Sequence, residues 1–184
     1  MLVLRDSPRG GAVKERANRR GNDVSMPDAP SDTMKKASPI SRKQLISLLN
    51  EDLSREYQAI ISYVVYSQTI KGAKFQHIAK ELEKHAGEEL SHALLIAKQI
   101  DYLNGVPSVV AKPVKFSSKA EDVIRFDLEN ERITILNYRE RIRQADAMGE
   151  FAISEVLREI IVQEQEHLTD LATALGEDNP NLED

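Results

Sequence analysis

The sequence predicts an all-α protein, an antiparallel four-helix bundle with one long crossover between the second and third helices. Three observations carry this. Two Glu-x-x-His quartets, Glu89-Leu90-Ser91-His92 and Glu164-Gln165-Glu166-His167, each follow a lone Glu, Glu56 and Glu131, placed 33 residues before the quartet's own Glu. All six side chains fall on apolar stripes of helical period. Between the two halves, residues 104–118 hold two prolines and show no helical period.

The first segment, residues 1–38, reads as a disordered tail. It has glycines and prolines (Gly10, Gly11, Gly21, Pro8, Pro27, Pro30), few aliphatics and no period. Its basic cluster Lys14, Arg16, Arg19 and Arg20 offers an alternative role in touching a polyanion such as DNA. Met26 or Met34 is an alternative start.

The bundle is expected over 39–176. Ser41 caps a first helix running to about Ile70, with the seam Leu49, Leu53, Glu56, Ile60, Tyr63, and Lys71-Gly72 ends it. The second helix, about Lys74 to Leu103, has the seam Phe75, Ile78, Leu82, His85, Glu89, His92, Ile96, and Gly105 and Pro107 stop it. Residues 104–118, with a strand-like Val109-Val110, are long enough when extended (~50 Å) to travel the length of a 25-residue helix (~38 Å). The third helix, about Lys119 to Ala147, has the seam Ile124, Leu128, Glu131, Ile135, Tyr138, Ile142. A tight turn at Met148-Gly149 leads to the fourth, about Glu150 to Leu175, with the seam Ile153, Leu157, Ile160, Glu164, His167, Leu171. Gly176 ends it, and 177–184 form a short tail.

Burying four carboxylates together is costly, because they repel and draw up protons. Two divalent cations remove that cost. Two helices with a single Glu and two with Glu-x-x-His are a known way for a bundle to hold two iron or manganese ions. Positions i and i+3 share a helix face. Glu89 can therefore bridge or chelate while His92 serves one ion, with Glu164 and His167 serving the other. Glu56 and Glu131 are then terminal, one per metal. A plain bundle with solvated Glu and His would not place all six on seams.

His85 also lies on a seam and reads as a satisfied core or bundle-end histidine, and His77 as a surface residue. Tyr63, two turns after Glu56, is the candidate to donate a hydrogen bond to a ligand carboxylate and to act as a one-electron donor. Tyr138 holds the comparable place after Glu131. Gly87 costs about 1 kcal/mol against Ala inside a helix and is expected to admit a close helix neighbour.

Composition excludes several classes. There is no Cys, hence no disulfide, thiolate zinc site or cysteine nucleophile. No apolar run reaches the ~20 residues of a membrane span. Met1-Leu2-Val3-Leu4-Arg5 is too short an apolar stretch for a secretory signal, so a cytoplasmic protein with no membrane partner is expected. Net charge is -5: residues 1–36 hold eight Lys/Arg against five Asp/Glu, and the remainder carries -8. An acidic body suits cation handling and argues against nucleic acid binding.

On these residues the chain resembles the ferritin-like superfamily, most closely its bacterioferritin-like branch, over about 41–175. The resemblance rests on Glu56 with Tyr63 seven later, Glu89-Leu90-Ser91-His92, Asp127-Leu128-Glu129-Asn130-Glu131 and Glu164-Gln165-Glu166-His167. It selects Glu131 over Glu129, as the seam does. It implies a di-iron ferroxidase centre on Glu56, Glu89, His92, Glu131, Glu164 and His167, manganese being the other candidate metal. It further implies Fe(II) with dioxygen or hydrogen peroxide as substrates, often iron storage, and a homo-oligomer. Three positions depart from the branch. Leu90 stands where a haem-binding Met is expected, so haem is not expected. Lys84 and Glu88 stand at the inner-surface His and Asp positions. Nine residues after Leu175 leave no short fifth helix, so a dimer, a 12-mer, a 24-mer or cargo within another shell all stay open. Rubrerythrin-like peroxidases fit less well: Thr134 stands where their seventh ligand Glu is expected, and no Cys is available for a rubredoxin iron site. The functional expectation is a ferroxidase for iron storage or detoxification. Alternatives are a non-storage di-iron or di-manganese peroxidase, catalase or oxidase, and a Dps-like DNA-protecting oligomer.

Overall fold

The computed structural model describes residues 40–183. Among these are four α-helices and no strand: α1 (Arg42–Thr69), α2 (Gln76–Tyr102), α3 (Ala120–Ala147) and α4 (Phe151–Leu175), with a 3-10 turn at Ala73–Phe75 leading into α2. Lys14, Arg16, Arg19, Arg20, Met26 and Met34 lie outside the described residues.

Local sequence accounts for where the helices begin and end. Ser41 forms a capping box on α1: its Oγ accepts from Gln44 N at 3.3 Å, and Gln44 Oε1 accepts from Ser41 N at 2.8 Å. At the end of α4, Gly176 takes the left-handed conformation, φ 73°, that side chains resist. Gly105 follows α2 for a steric reason. A Cβ there would sit 2.6 Å from the Ile46 side chain and 2.9 Å from that of Ile100.

The four seams form two apolar clusters with a polar layer between them. One cluster holds Leu49 and Leu53 of α1, Ile96 and Ile100 of α2, Tyr138 and Ile142 of α3, and Ile153 and Leu157 of α4. The other holds Tyr63, Tyr66, Ile78, Leu82, Ile124 and Leu171. Going along the chain, α1 and α4 pass from the first cluster to the second, while α2 and α3 pass from the second to the first. The bundle therefore pairs α1 with α2 and α3 with α4 as antiparallel hairpins, and α2 runs parallel to α3. Consecutive helices that run parallel need a connection as long as the bundle.

The connector supplies it by running along α1. Asn50 Nδ2 donates to Val106 O at 3.1 Å, Lys112 N to Ser54 O at 2.9 Å and Gln58 Nε2 to Pro113 O at 2.6 Å, and the Tyr66 hydroxyl donates to Lys115 O. Val109 and Val110 form no strand; both are exposed. Gly87 also differs from expectation. Nothing lies within 4 Å of a Cβ built there, so no helix approaches it closely.

One buried ion pair ties α1 to α3. Arg141 Nε donates to Asp52 Oδ2 at 2.7 Å and Nη2 to Oδ1 at 3.2 Å, while Nη1 donates to Gln144 Oε1 at 2.8 Å. Burial outweighs the arginine and lifts the Asp52 pKa above its ordinary value. None of the helices is long and apolar enough to cross a membrane, among the described residues.

Candidate metal centre

The layer between the two apolar clusters is where the six candidate ligands on the seams meet. Glu56, Glu89, His92, Glu131, Glu164 and His167 are each 1–2% exposed. They form two overlapping groups whose ligand atoms lie within 4.8 Å of one another: Glu56, Glu89, His92 and Glu164, and Glu89, Glu131, Glu164 and His167.

Glu89 and Glu164 belong to both groups, and their oxygens divide between them. Glu89 Oε2 is 3.3 Å from His92 Nδ1, while Glu89 Oε1 is 2.9 Å from His167 Nδ1. Glu164 Oε1 is 3.0 Å from His92 Nδ1, and Oε2 is 3.7 Å from His167 Nδ1. Each of these carboxylates turns one oxygen to each half, the disposition of a bridge. Glu56 adds to the His92 half, its Oε2 at 3.4 Å from Nδ1, and Glu131 belongs to the His167 half. The sequence left open whether Glu89 and Glu164 bridge or chelate. The two carboxylates are placed alike, each with one oxygen near each imidazole.

The imidazoles are held from behind. His92 Nε2 lies 2.7 Å from Gln163 Oε1 and His167 Nε2 lies 3.0 Å from Glu88 Oε2. Both partners are acceptors, so each Nε2 carries a hydrogen and each Nδ1 is the nitrogen that faces inward. Glu88 and Gln163 immediately precede the two shared carboxylates. An acceptor at the same position before each Glu-x-x-His was the available signal, and sequence reasoning passed over it for this role.

Two tyrosines hold the outer carboxylates, and they do so crosswise. The Tyr63 hydroxyl of α1 donates to Glu131 Oε1 of α3, and the Tyr138 hydroxyl of α3 donates to Glu56 Oε1 of α1. Neither serves the Glu seven residues before it. Burial first, then the carboxylate each one faces, pushes both phenols well above their ordinary pKa.

The remaining polar atoms fit a cation pair. Glu56 Oε2, Glu89 Oε1, Glu131 Oε2, Glu164 Oε1 and His167 Nδ1 are buried and make no hydrogen bond. Orphaned acceptors converging in this way are costly unless a cation fills their midst. Without a cation, protons must take its place. Burial, then Glu89 and Glu164, lifts Glu56 and Glu131 well above the carboxylate range. Burial opposes the charged form of His167, but contacts with Glu164 and Glu89 win and raise it to about 10. His92 is raised as well, against burial, by Glu164, Glu56 and Glu89. Burial acts to raise Glu89 and Glu164, yet the two imidazoles hold both below the ordinary value.

A cavity of about 10 Å³, the size of one water, reaches this layer between α1 and α3. Arg55, Glu56, Glu89, Asn130, Glu131 and Thr134 are among its walls. His77 is exposed, as expected, and His85 is buried one turn before Glu89.

A family model for the ferritin-like domain matches residues 46–179. The chain belongs to the ferritin-like domain family. Bacterioferritin of Brucella melitensis is 23% identical over 133 residues, 72% of this chain and 83% of the relative. Among solved structures, a ferritin-like di-iron carboxylate protein of Bacillus anthracis superposes with a TM-score of 0.70 at 31% identity, over 74% of this chain and 99% of its own. A dodecameric thioferritin of Bacteroides fragilis, described as bacterioferritin-related, superposes at 0.69 with 28% identity, over 74% and 87%.

Proposed function

We propose that this ferritin-like protein is a ferroxidase that binds two Fe(II) ions as substrate on Glu56, Glu89, His92, Glu131, Glu164 and His167. The observation that carries this is the division of the Glu89 and Glu164 oxygens between two matched sets of ligand atoms. The kinship with a di-iron carboxylate protein supports it. Oxygen and imidazole donors suit iron and manganese, and thiolate-seeking metals find no ligand. The net charge also balances. Four carboxylates neutralise two divalent ions, with both imidazoles neutral.

Two Fe(II) ions yield two electrons, the number that reduces dioxygen to hydrogen peroxide or hydrogen peroxide to water. The chain's part is positional. Tyr63 and Tyr138 hold the outer carboxylates, Glu88 and Gln163 orient the imidazoles, and the two apolar clusters keep bulk water away. Tyr63, on a ligand carboxylate, is placed to give up an electron. Its role as a donor is part of this proposal.

The protein works as a homo-oligomer in this reading, with the dodecameric thioferritin as a precedent. Ile61 and Val64 on α1 and Leu90 and Leu94 on α2 stand exposed on adjacent helices and suit an interface. Leu90 offers no sulfur for haem. We place the oxidised iron in storage or detoxification.

Rapid mixing of Fe(II) and oxygen tests the centre. Glu89→Ala and His92→Ala should each abolish rapid oxidation while circular dichroism shows an intact bundle. Oxidation at the parent rate in both variants would mean that the ligands are misassigned. Turnover without a retained iron core would leave the ferroxidase and remove storage.

A further inference from the structure

Outside the six candidate ligands, a second set of carboxylate and imidazole side chains converges beside the centre. Glu81 and His85 of α2 and Asp170 of α4 offer ligand atoms within 4.8 Å of one another. His85 Nε2 faces Asp170 Oδ2 at 3.3 Å. The ring is 1% exposed, and its Nδ1 has no hydrogen-bond partner. A histidine buried only for packing would have both nitrogens satisfied. His85 has Nε2 engaged by Asp170 and Nδ1 without a protein partner.

Its setting joins the surface to the centre. His77, Glu81, His85, Glu88 and His92 recur at steps of four, four, three and four along one stripe of α2. His77 is exposed, with Nε2 at 4.0 Å from Glu81 Oε1. A surface cleft of about 280 Å³, lined by Lys74, His77, Ile78, Asp170, Thr173 and Ala174, opens onto Asp170. On the inner side, the His85 ring centroid is 4.0 Å from that of His167. His85 also groups with Glu88 and His167 as possible ligands, but His167 Nε2 is already committed to Glu88. Lys84, the neighbouring cation, pairs with Glu88 at 3.5 Å.

We propose that Glu81, His85 and Asp170 form a third cation site, one helical turn from the centre. It would take a single divalent first-row ion between the surface cleft and His167. Two carboxylates match one divalent charge, and one imidazole with carboxylate oxygens favours Fe(II), Mn(II), Co(II) or Zn(II) over the harder, all-oxygen Ca(II) or Mg(II). The site is a waypoint for ions moving inward. Its existence does not depend on the ferroxidase reading.

The test is anaerobic equilibrium dialysis of the chelated full-length protein against Co(II), joined to anomalous diffraction from crystals soaked in Co(II). The parent should bind about three ions per subunit, one of them between Glu81, His85 and Asp170. His85→Ala and Asp170→Asn should each lower the count by one and erase that peak while the pair remains. Asp170→Asn, at a partly exposed position, covers the case in which His85→Ala does not fold. Glu131→Ala should weaken the pair and keep the third peak. Two ions in the parent, or an undiminished count in the folded variants, overturns the site. A third ion in a protein that does not oxidise Fe(II) would overturn the proposed function and leave this site standing; two ions with rapid oxidation would do the reverse.

Discussion

Removing the metal ions should load the centre with protons, and returning them should release a countable number. Burial, with Glu89 and Glu164 nearby, lifts Glu56 and Glu131 well above the carboxylate range and favours their protonated forms. His92 and His167 are raised and hold one more each. Glu89 and Glu164 stay ionised. Binding must therefore release protons, about one per ion from the imidazoles and more from the outer carboxyls to the extent that they are protonated. Stripping His167 at pH 7 costs roughly 4 kcal/mol, because its pKa is raised to about 10. Affinity should accordingly rise by at least about one order of magnitude per ion per pH unit near neutrality. The assay is anaerobic titration with Fe(II) or Mn(II) in weak buffer under a pH-stat. Release of less than one proton per ion, with two ions demonstrably bound, would refute the charge balance. His167 also sets the sign for folding of the chelated protein. Its proton is held more tightly folded than unfolded, so that contribution is complete below pH 6.5 and is lost as pH climbs towards about 10.

Three substitutions test other parts of the structure. Glu88→Ala removes the acceptor behind His167 and should weaken metal binding by about 10- to 100-fold, read by competition with a chelator; unchanged affinity would show that the ring is held by packing alone. Arg141→Met leaves Asp52 buried without its partner and should cost about 3–5 kcal/mol in urea denaturation, whereas a loss below about 1 kcal/mol would mean that water reaches the carboxylate. Gly87→Ala, on an exposed helical position with open space around it, should gain about 1 kcal/mol, and a loss would reveal a neighbour that packs there.

The helices, their caps and the faces they bury were legible because each depends on residues within one or two turns. Ser41 with Gln44, Gly176, and the steps of three and four that carry Leu49, Leu53 and Glu56 are local codes. They set which way a side chain points around its own axis, and that singled out six candidate ligands. The crossover was legible too, from the length of a proline-bearing segment. Axial offset between helices has no such code. It decided that Tyr63 serves Glu131 and Tyr138 serves Glu56, that Glu164 faces both halves of the centre, and that Glu88 and Gln163 stand behind the partner hairpin's histidine. It also paired Asp52 with Arg141 and brought Asp170 to His85. Periodicity along one helix determined rotation. Only close packing of four helices determined which rungs lie level, because register is settled by how side chains from different parts of the chain interlock.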